Sequence, residues 1–342
     1  MILPPSESAI AQAIAALQQG QLLGLPTETV YGLAADACQD QAVQQIFLRK
    51  GRPAQHPLIV HVADAAAAEY FAATIPDFAR ALMAAFWPGP LTLILPRRPG
   101  VAERAAGGHA TIGLRCPAHP VARQVLQQGL LAEPPILGLA APSANRFGRV
   151  SPTLAAHVIE ELAGSGQGDL LVLDGGACEI GIESTIVDCS RGQPVLLRPG
   201  HVQAQDIARV TGLPVARSGA ARDAQEEDDA PQAPGTLSAH YAPNATVRLM
   251  DASAIQTALG ILGAQGKHIA VYARAPVHSP SRDIVLRRMP ATPQAVAQEL
   301  FQVLRSLDAQ GVKLIWIETV PDEPAWDGVR DRIERAAASA SG

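Results

Sequence analysis

The sequence predicts an α/β protein in two parts. A large twisted sheet of mixed strand order, flanked by helices, is followed by a small Rossmann-like α/β domain. Three observations lead there. The chain has 342 residues, more than the roughly 250–300 at which a single core usually stops growing. Short apolar strands and amphipathic helices follow one another in irregular order up to about residue 214. Beyond a polar stretch at 215–243, strand and helix alternate cleanly, as βαβ units do. The expected division is therefore 1–214, a linker at 215–243, and 244–342.

The elements follow in order. Ser6 caps a first helix in which Ile10, Ile14 and Leu17 face inward, and Gly20 ends it. Leu22 to Leu25 is a short apolar strand closed by Pro26. Asp40 or Gln41 opens a helix with Val43, Ile46, Phe47 and Lys50 at helical spacing. Gly51 and Pro53 stop it, leaving Lys50 and Arg52 at its C-terminal end, where cations suit the helix dipole. Leu58 to Val62 alternates as a strand, with Leu58, Val60 and Val62 on one face and Ile59 and His61 on the other. Pro76 starts a helix, and Trp87 to Leu95 turns into a strand. In Thr111 to Cys116, period two puts Thr111, Gly113 and Arg115 opposite Ile112, Leu114 and Cys116. A helix over Val121 to Gln128 precedes a buried strand, Ile136 to Ala141. Ser151-Pro152-Thr153 opens the next helix, and strands follow at Leu170 to Asp174, within Gly181 to Asp188, and at Val195 to Leu197. Past the linker come strand 247–250, helix 253–262, strand 269–272, strand 284–288, helix 293–310, strand 313–317 and a last helix to about Ala338.

Composition excludes several classes. Hydrophobic residues make up 48% and charged ones 17%, as in an ordinary globular protein. A formal charge of -5 argues against a chain that coats nucleic acid. Cys38, Cys116, Cys178 and Cys189 form no CxxC pair, so reduced structural thiols are expected. No basic N-terminal region and no run of 18 apolar residues occurs, so a cytoplasmic location without a membrane span is expected. Neither a P-loop nor GxSxG nor HExxH is present, and no protein-held metal is expected.

What stands out is the density of polar groups between apolar runs from Pro26 to Val62: Thr27, Glu28, Thr29, Lys50, Arg52, His56 and His61. Such groups are seldom buried without partners. Taken singly they are ordinary, since a Lys-x-Arg at a helix end is usually solvated and a strand histidine usually belongs to the core. Taken together they describe a polyanion site. Ser143 and Asn145, in a turn rich in proline and glycine, suit phosphate or ribose, or a plain capped loop.

The string PTETVYGL, then KxRP, then HPLIVHV resembles the opening of the YrdC-like family, specifically the threonylcarbamoyl-AMP synthases. WPGPLT, LRCPAHP, APSAN, SPT, ESTIVD, LLRPG and PGTLSAHYAP continue the resemblance in the same order, over about residues 10–243. The length resembles the long form with an added C-terminal domain, and the fold implied for the first part is a YrdC-like mixed sheet. The resemblance implies conversion of L-threonine, bicarbonate and ATP, with Mg2+, into threonylcarbamoyl-adenylate and pyrophosphate. The product would pass to a tRNA threonylcarbamoyl transferase complex, with at most a weak tRNA contact by this chain. Thr29, His61, Arg115, Ala141 and Ser184 would then hold threonine. Lys50, Arg52, His56, Thr111, Ser143, Asn145, Ser151 and Arg198 would surround ATP, with Lys50 and Arg52 in the catalytic role. Arg115 would take the amino-acid carboxylate, because its fork can bind two oxygens. His240 and Tyr241 would belong to a lid over the entrance.

Two other readings compete. One is an RNA-binding YrdC-like module without adenylation activity, which the acidic balance disfavours. The other is a carbamoyltransferase of the hydrogenase-maturation type, whose paired-cysteine zinc motifs are absent here.

Overall fold

The computed structural model describes residues 1–163, 168–217 and 240–339. The chain divides into two compact units. The first comprises Met1–Phe147 and Pro152–Thr236, the second Gly148–Ser151 and Leu237–Gly342. Most of the linker expected at 215–243, including its acidic run Glu226 to Asp229, lies outside the described residues.

In the first unit the described strands are β1 (Ile2–Leu3), β2 (Leu23–Leu25), β3 (Gly32–Asp36), β4 (Ile59–His61), β5 (Leu91–Pro96) and β6 (Thr111–Arg115), followed by β7 (Leu139–Ala140), β8 (Leu171–Leu173), β9 (Thr185–Asp188), β10 (Val195–Arg198) and β11 (Ala216–Arg217). They form one mixed sheet in the order β1-β8-β2-β3-β7-β4-β6-β5-β9-β10-β11. Helices α1 (Glu7–Gln18), α2 (Asp40–Lys50), α3 (Ala65–Phe71), α4 (Asp77–Phe86), α5 (Pro120–Leu130), α6 (Ala155–Leu162) and α7 (Ala204–Thr211) complete it.

The two alternating strands at the centre carry the site. Leu58, Val60, Val62, Ile112, Leu114 and Cys116 enter one large core together with Leu91, Leu93 and Leu95. Their neighbours on the opposite face, Ile59 and Ile94, pack with Ile186, Val195 and Leu197 in a separate cluster. This is the division that period two requires, and it leaves His61, Thr92 and Arg115 on the second face. β4 runs parallel to β6, with His61 opposite Arg115.

Some expected boundaries shift, for local reasons. The strand at 136–141 pairs only over Leu139–Ala140, because the Ile136 amide instead bonds the Gly129 carbonyl at the end of α5. Gly138 is needed there, since a Cβ would lie 2.8 Å from the Phe71 ring. Ser151 and Thr153 do not open α6; Leu154 precedes its first turn without a side-chain cap. The amide of Thr153 donates to His157 Nδ1 at 3.3 Å. A strand at 216–217 pairs in parallel with β10, within the span expected as linker.

The second unit holds β12 (Thr246–Met250), α8 (Ala252–Leu262), β13 (Ile269–Ala273), β14 (Val285–Arg288), α9 (Pro293–Ala309), β15 (Leu314–Glu318) and α10 (Asp327–Ala338). Among the described residues its four strands are all parallel, in the order β12-β15-β13-β14. That is the Rossmann-like arrangement the alternation predicts. No helix of the described residues is long and apolar enough to cross a membrane.

Candidate active site

β2 and β3 are an antiparallel pair, and the tight connection between them carries Thr27, Glu28 and Thr29. All three are buried. The Thr27 hydroxyl donates to the Val30 carbonyl at 2.6 Å. Its single proton is thereby used, so in the 2.9 Å contact between the two hydroxyls Thr29 is the donor. Thr29 Oγ1 in turn accepts from Arg115 Nη1 at 2.9 Å. The result is a directed chain from guanidinium to hydroxyl to hydroxyl to carbonyl.

Arg115, at the end of β6, is 4% exposed. Besides Thr29 it donates from Nε to the Gly89 carbonyl at 3.2 Å and from Nη2 to Glu28 Oε1 at 2.6 Å. Across the ladder, His61 is fully buried, and its Nδ1 has no hydrogen-bond partner. Burial first, and then the charge of Arg115, push its pKa well below the usual histidine value, so the ring is held neutral. Ala141 follows the neighbouring strand β7, its amide bonded to the Ile59 carbonyl of β4 at 3.0 Å.

The cationic turn lies at the end of α2. Gly51 takes the left-handed conformation, with φ of 63°, that closes the helix. Lys50 Nζ donates to the Ser143 and Asn145 carbonyls, each at 2.5 Å. The Phe147 amide returns a bond to the Lys50 carbonyl at 2.8 Å. Burial, then Arg52, lower the Lys50 pKa well below that of a free lysine. The Arg52 guanidinium lies over the Phe147 ring at 5.5 Å and donates to the Pro57 carbonyl at 3.0 Å. His56 and Phe147 meet in a T-shaped arrangement, with centroids 5.4 Å apart. Its pKa is lowered by burial and by Arg52.

Backbone bonds knit the two ends together. The Leu33 amide bonds the Pro142 carbonyl, and the Ala144 amide bonds the Tyr31 carbonyl, both at 2.8 Å. The turn that carries Thr29 and the loop that carries Ser143 and Asn145 are therefore one structure. A third cation joins from β10. Arg198 donates from Nη2 to Ser184 Oγ at 3.2 Å and from Nε to the Ser184 carbonyl at 3.1 Å. Ser184 Oγ also meets Thr92 Oγ1 at 2.8 Å. The bend after β10 needs Gly200, because a Cβ there would lie 2.6 Å from the Thr185 amide nitrogen.

Of the expected residues, direct contacts thus join Thr29 with Arg115, Ser184 with Arg198, and Lys50 with the carbonyls of Ser143 and Asn145. Thr111 sits at the other end of β6, opposite Pro96. Ser151, His240 and Tyr241 belong to the second unit. There Tyr241 stacks on Phe301 at 5.4 Å, with the Arg332 guanidinium 5.5 Å from its ring. His240 lies edge-on to Tyr241 at 4.3 Å. The Ser151 carbonyl accepts from Arg305 of α9. Glu28, Thr92 and Phe147 were not among the expected residues. Two of them had a readable signal: Glu28 lies in the polar run from Pro26 to Val62, and Thr92 is a polar residue alternating with Leu91 and Leu93.

The arrangement offers a buried arginine beside hydroxyls and a neutral imidazole, suited to a small polar acid, and a cationic turn suited to phosphates. Residues 15–200 match the family described as "Telomere recombination". Residues 202–338 match the one described as "Threonylcarbamoyl-AMP synthase, C-terminal domain". Threonylcarbamoyl-AMP synthase of Pyrococcus abyssi is 38% identical over 327 residues, covering 94% of this chain and 92% of that protein. The Bacillus subtilis enzyme of the same name is 37% identical over 341 residues, covering 98% and 94%. The crystal structure of P. abyssi Sua5 complexed with L-threonine superposes with a TM-score of 0.84 at 34% identity, covering 99% of this chain and 98% of that one. With two family matches running from residue 15 to 338 and relatives aligned over nearly their whole length, the chain belongs to the threonylcarbamoyl-AMP synthase family.

Proposed function

We propose that the chain joins L-threonine, bicarbonate and ATP into threonylcarbamoyl-adenylate, releasing pyrophosphate. The observation that carries this is the continuous hydrogen-bonded frame linking Arg115 and Thr29 to the loop held by Lys50. It supports reading the Arg115 end as the amino-acid site and the Lys50 end as the phosphate site.

In the proposed reaction bicarbonate takes up a proton and loses water to give CO2. The lone pair of the deprotonated threonine amine forms a bond to the CO2 carbon, and one N–H proton is released, leaving the carbamate nitrogen with its last hydrogen. One oxygen of the resulting carbamate attacks the α-phosphorus. The bond to the bridging oxygen breaks, and pyrophosphate leaves with the electron pair. No protein nucleophile is needed. The contribution of the chain is to hold reactants in line and to stabilise charge at the α-phosphorus, the part assigned to Lys50, Arg52 and Arg198. His56, Thr111, Ser143, Asn145 and Ser151 would contact the nucleotide, and Ala141, His61 and Ser184 the threonine. Mg2+ would enter as the counter-ion of ATP, and Glu161 and Glu183, which act electrostatically on Lys50, are the acidic groups of that region. His240 and Tyr241 would shield the product, because a carbamate and a mixed anhydride both decompose in water. A reactive adenylate calls for prompt consumption, here by a transferase that would deliver the threonylcarbamoyl group to a tRNA adenosine, and the reading puts that work in the cytoplasm as part of the same proposal.

The test is pyrophosphate release by the purified chain, with threonine and bicarbonate added singly and together. Release that needs both supports the reading, and release indifferent to threonine refutes it. Removing one preorganised charge-stabilising donor typically lowers turnover by about 10²–10³. Arg52→Ala is expected to lose that much in turnover, and Arg115→Ala to raise the KM for threonine.

A further inference from the structure

Glu28 sits between the two threonines of the β2–β3 connection, and the residue is 4% exposed. One oxygen, Oε1, accepts from Arg115 at 2.6 Å. The other, Oε2, is buried and has no hydrogen-bond partner. An orphaned buried acceptor costs about 1–3 kcal/mol, more when it is charged. Such a group calls for an explanation, and a functional role at the site is one.

The state of Arg115 completes the picture. A guanidinium has five N–H groups, and three of them are engaged, by Gly89, Thr29 and Glu28. The remaining N–H groups can hold a carboxylate while Oε2 still lacks a donor. A cation with spare donors beside an anion with a spare acceptor is the complement of a zwitterion. We propose that Glu28 Oε2 receives the α-ammonium group of the substrate, so that the Glu28–Arg115 pair selects an α-amino acid by its two opposite charges. This proposal rests on the synthase reading and adds a specificity-determining residue to it. It also explains why a carboxylate is tolerated inside a site that must hold a carboxylate ligand: the two acids share one arginine and are bridged by the ligand's own ammonium.

The experiment compares two ligands on the full-length chain by titration calorimetry: L-threonine and (R)-3-hydroxybutanoate, which keeps the carboxylate and the hydroxyl and lacks the ammonium. The native chain should prefer threonine by at least about tenfold, the usual weight of a charge-assisted hydrogen bond. In Glu28→Gln that preference should shrink to about unity, with ATP affinity retained as proof of a folded site. If Glu28 merely props Arg115, both ligands weaken by the same factor and the preference survives, which overturns the proposal alone. Glu28→Asp keeps the charge and should keep part of the preference, so it carries the same test if the glutamine variant fails to fold. Absence of threonine binding by the native chain would overturn the synthase reading and this proposal together.

Discussion

Lys50 and His61 are both fully buried bases, and burial acts on both in the same direction. Burial, then Arg52, lower the Lys50 pKa well below that of a free lysine. A triphosphate brought against it restores the preference for the ammonium form. ATP binding is therefore expected to take up protons at alkaline pH, and ATP affinity to fall as pH rises through the lowered value. Calorimetry in buffers of different ionisation heat counts those protons, and Lys50→Arg, which cannot deprotonate, should bring the count to zero. His61 gives a stability effect instead. Its folded pKa is depressed, by burial and then by Arg115. Below about pH 6.5 the unfolded chain therefore binds a proton that the folded chain refuses. Stability should rise with pH up to about that value and level off above it. Urea midpoints between pH 5 and 8 should show a shallower acid limb in His61→Gln, and an unchanged limb would mean that the ring is protonated in the folded state.

At the scale of the element, alternation was the legible signal. It put Arg115 and His61 on one face of adjacent strands, and the core divides the two strands that way. The order of strands was not legible, because nothing local in the sequence says that β7 inserts between β3 and β4. Glu28 escaped for the same reason. It stood in the polar run from Pro26 to Val62, but its partner lies 87 residues away, and nothing local says which cation it meets. The bend at Gly200 gives an element-scale prediction. A Cβ there meets the backbone at the start of β9, 2.6 Å from the Thr185 amide nitrogen and 2.9 Å from the Glu183 carbonyl. Gly200→Ala must therefore displace the residue that precedes β9, Ser184, and with it the contact to Arg198. Overpacking of this kind costs about 1–3 kcal/mol, and the variant should also lose threonine-dependent pyrophosphate release. Within the second unit, Arg305 of α9 donates to the carbonyls of Val150 and Ser151, while Arg149 bonds Asn244 at 2.7 Å. Arg305→Ala should speed amide hydrogen exchange in the peptide covering 148–151 and leave β6 unchanged. Equal exchange in the two proteins would mean that the bonds from Arg149 hold the segment alone.

For the whole molecule, the balance of charge decides what kind of polyanion can bind. Acidic residues exceed basic ones by 32 to 27. The cations of the candidate site, Lys50, Arg52, Arg115 and Arg198, are each less than a tenth exposed. A small anion that enters among them meets buried charge, which salt screens weakly. A tRNA laid on the outside meets a net negative surface and has few counter-ions to release on binding. The two ligands should therefore respond differently to salt. ATP affinity should change little between 50 and 300 mM NaCl. Binding of tRNA should be absent at about 150 mM, where a non-specific basic surface still gives a Kd of about 10⁻⁴–10⁻⁶ M, and added tRNA should leave the initial rate of pyrophosphate release unaltered. Filter binding across a salt series, run beside the pyrophosphate assay, measures both. Saturable tRNA binding at 150 mM with a steep negative slope of log K against log salt would mean that the chain presents an RNA surface despite its net charge. Transfer of the threonylcarbamoyl group could then begin on this protein before any partner arrives.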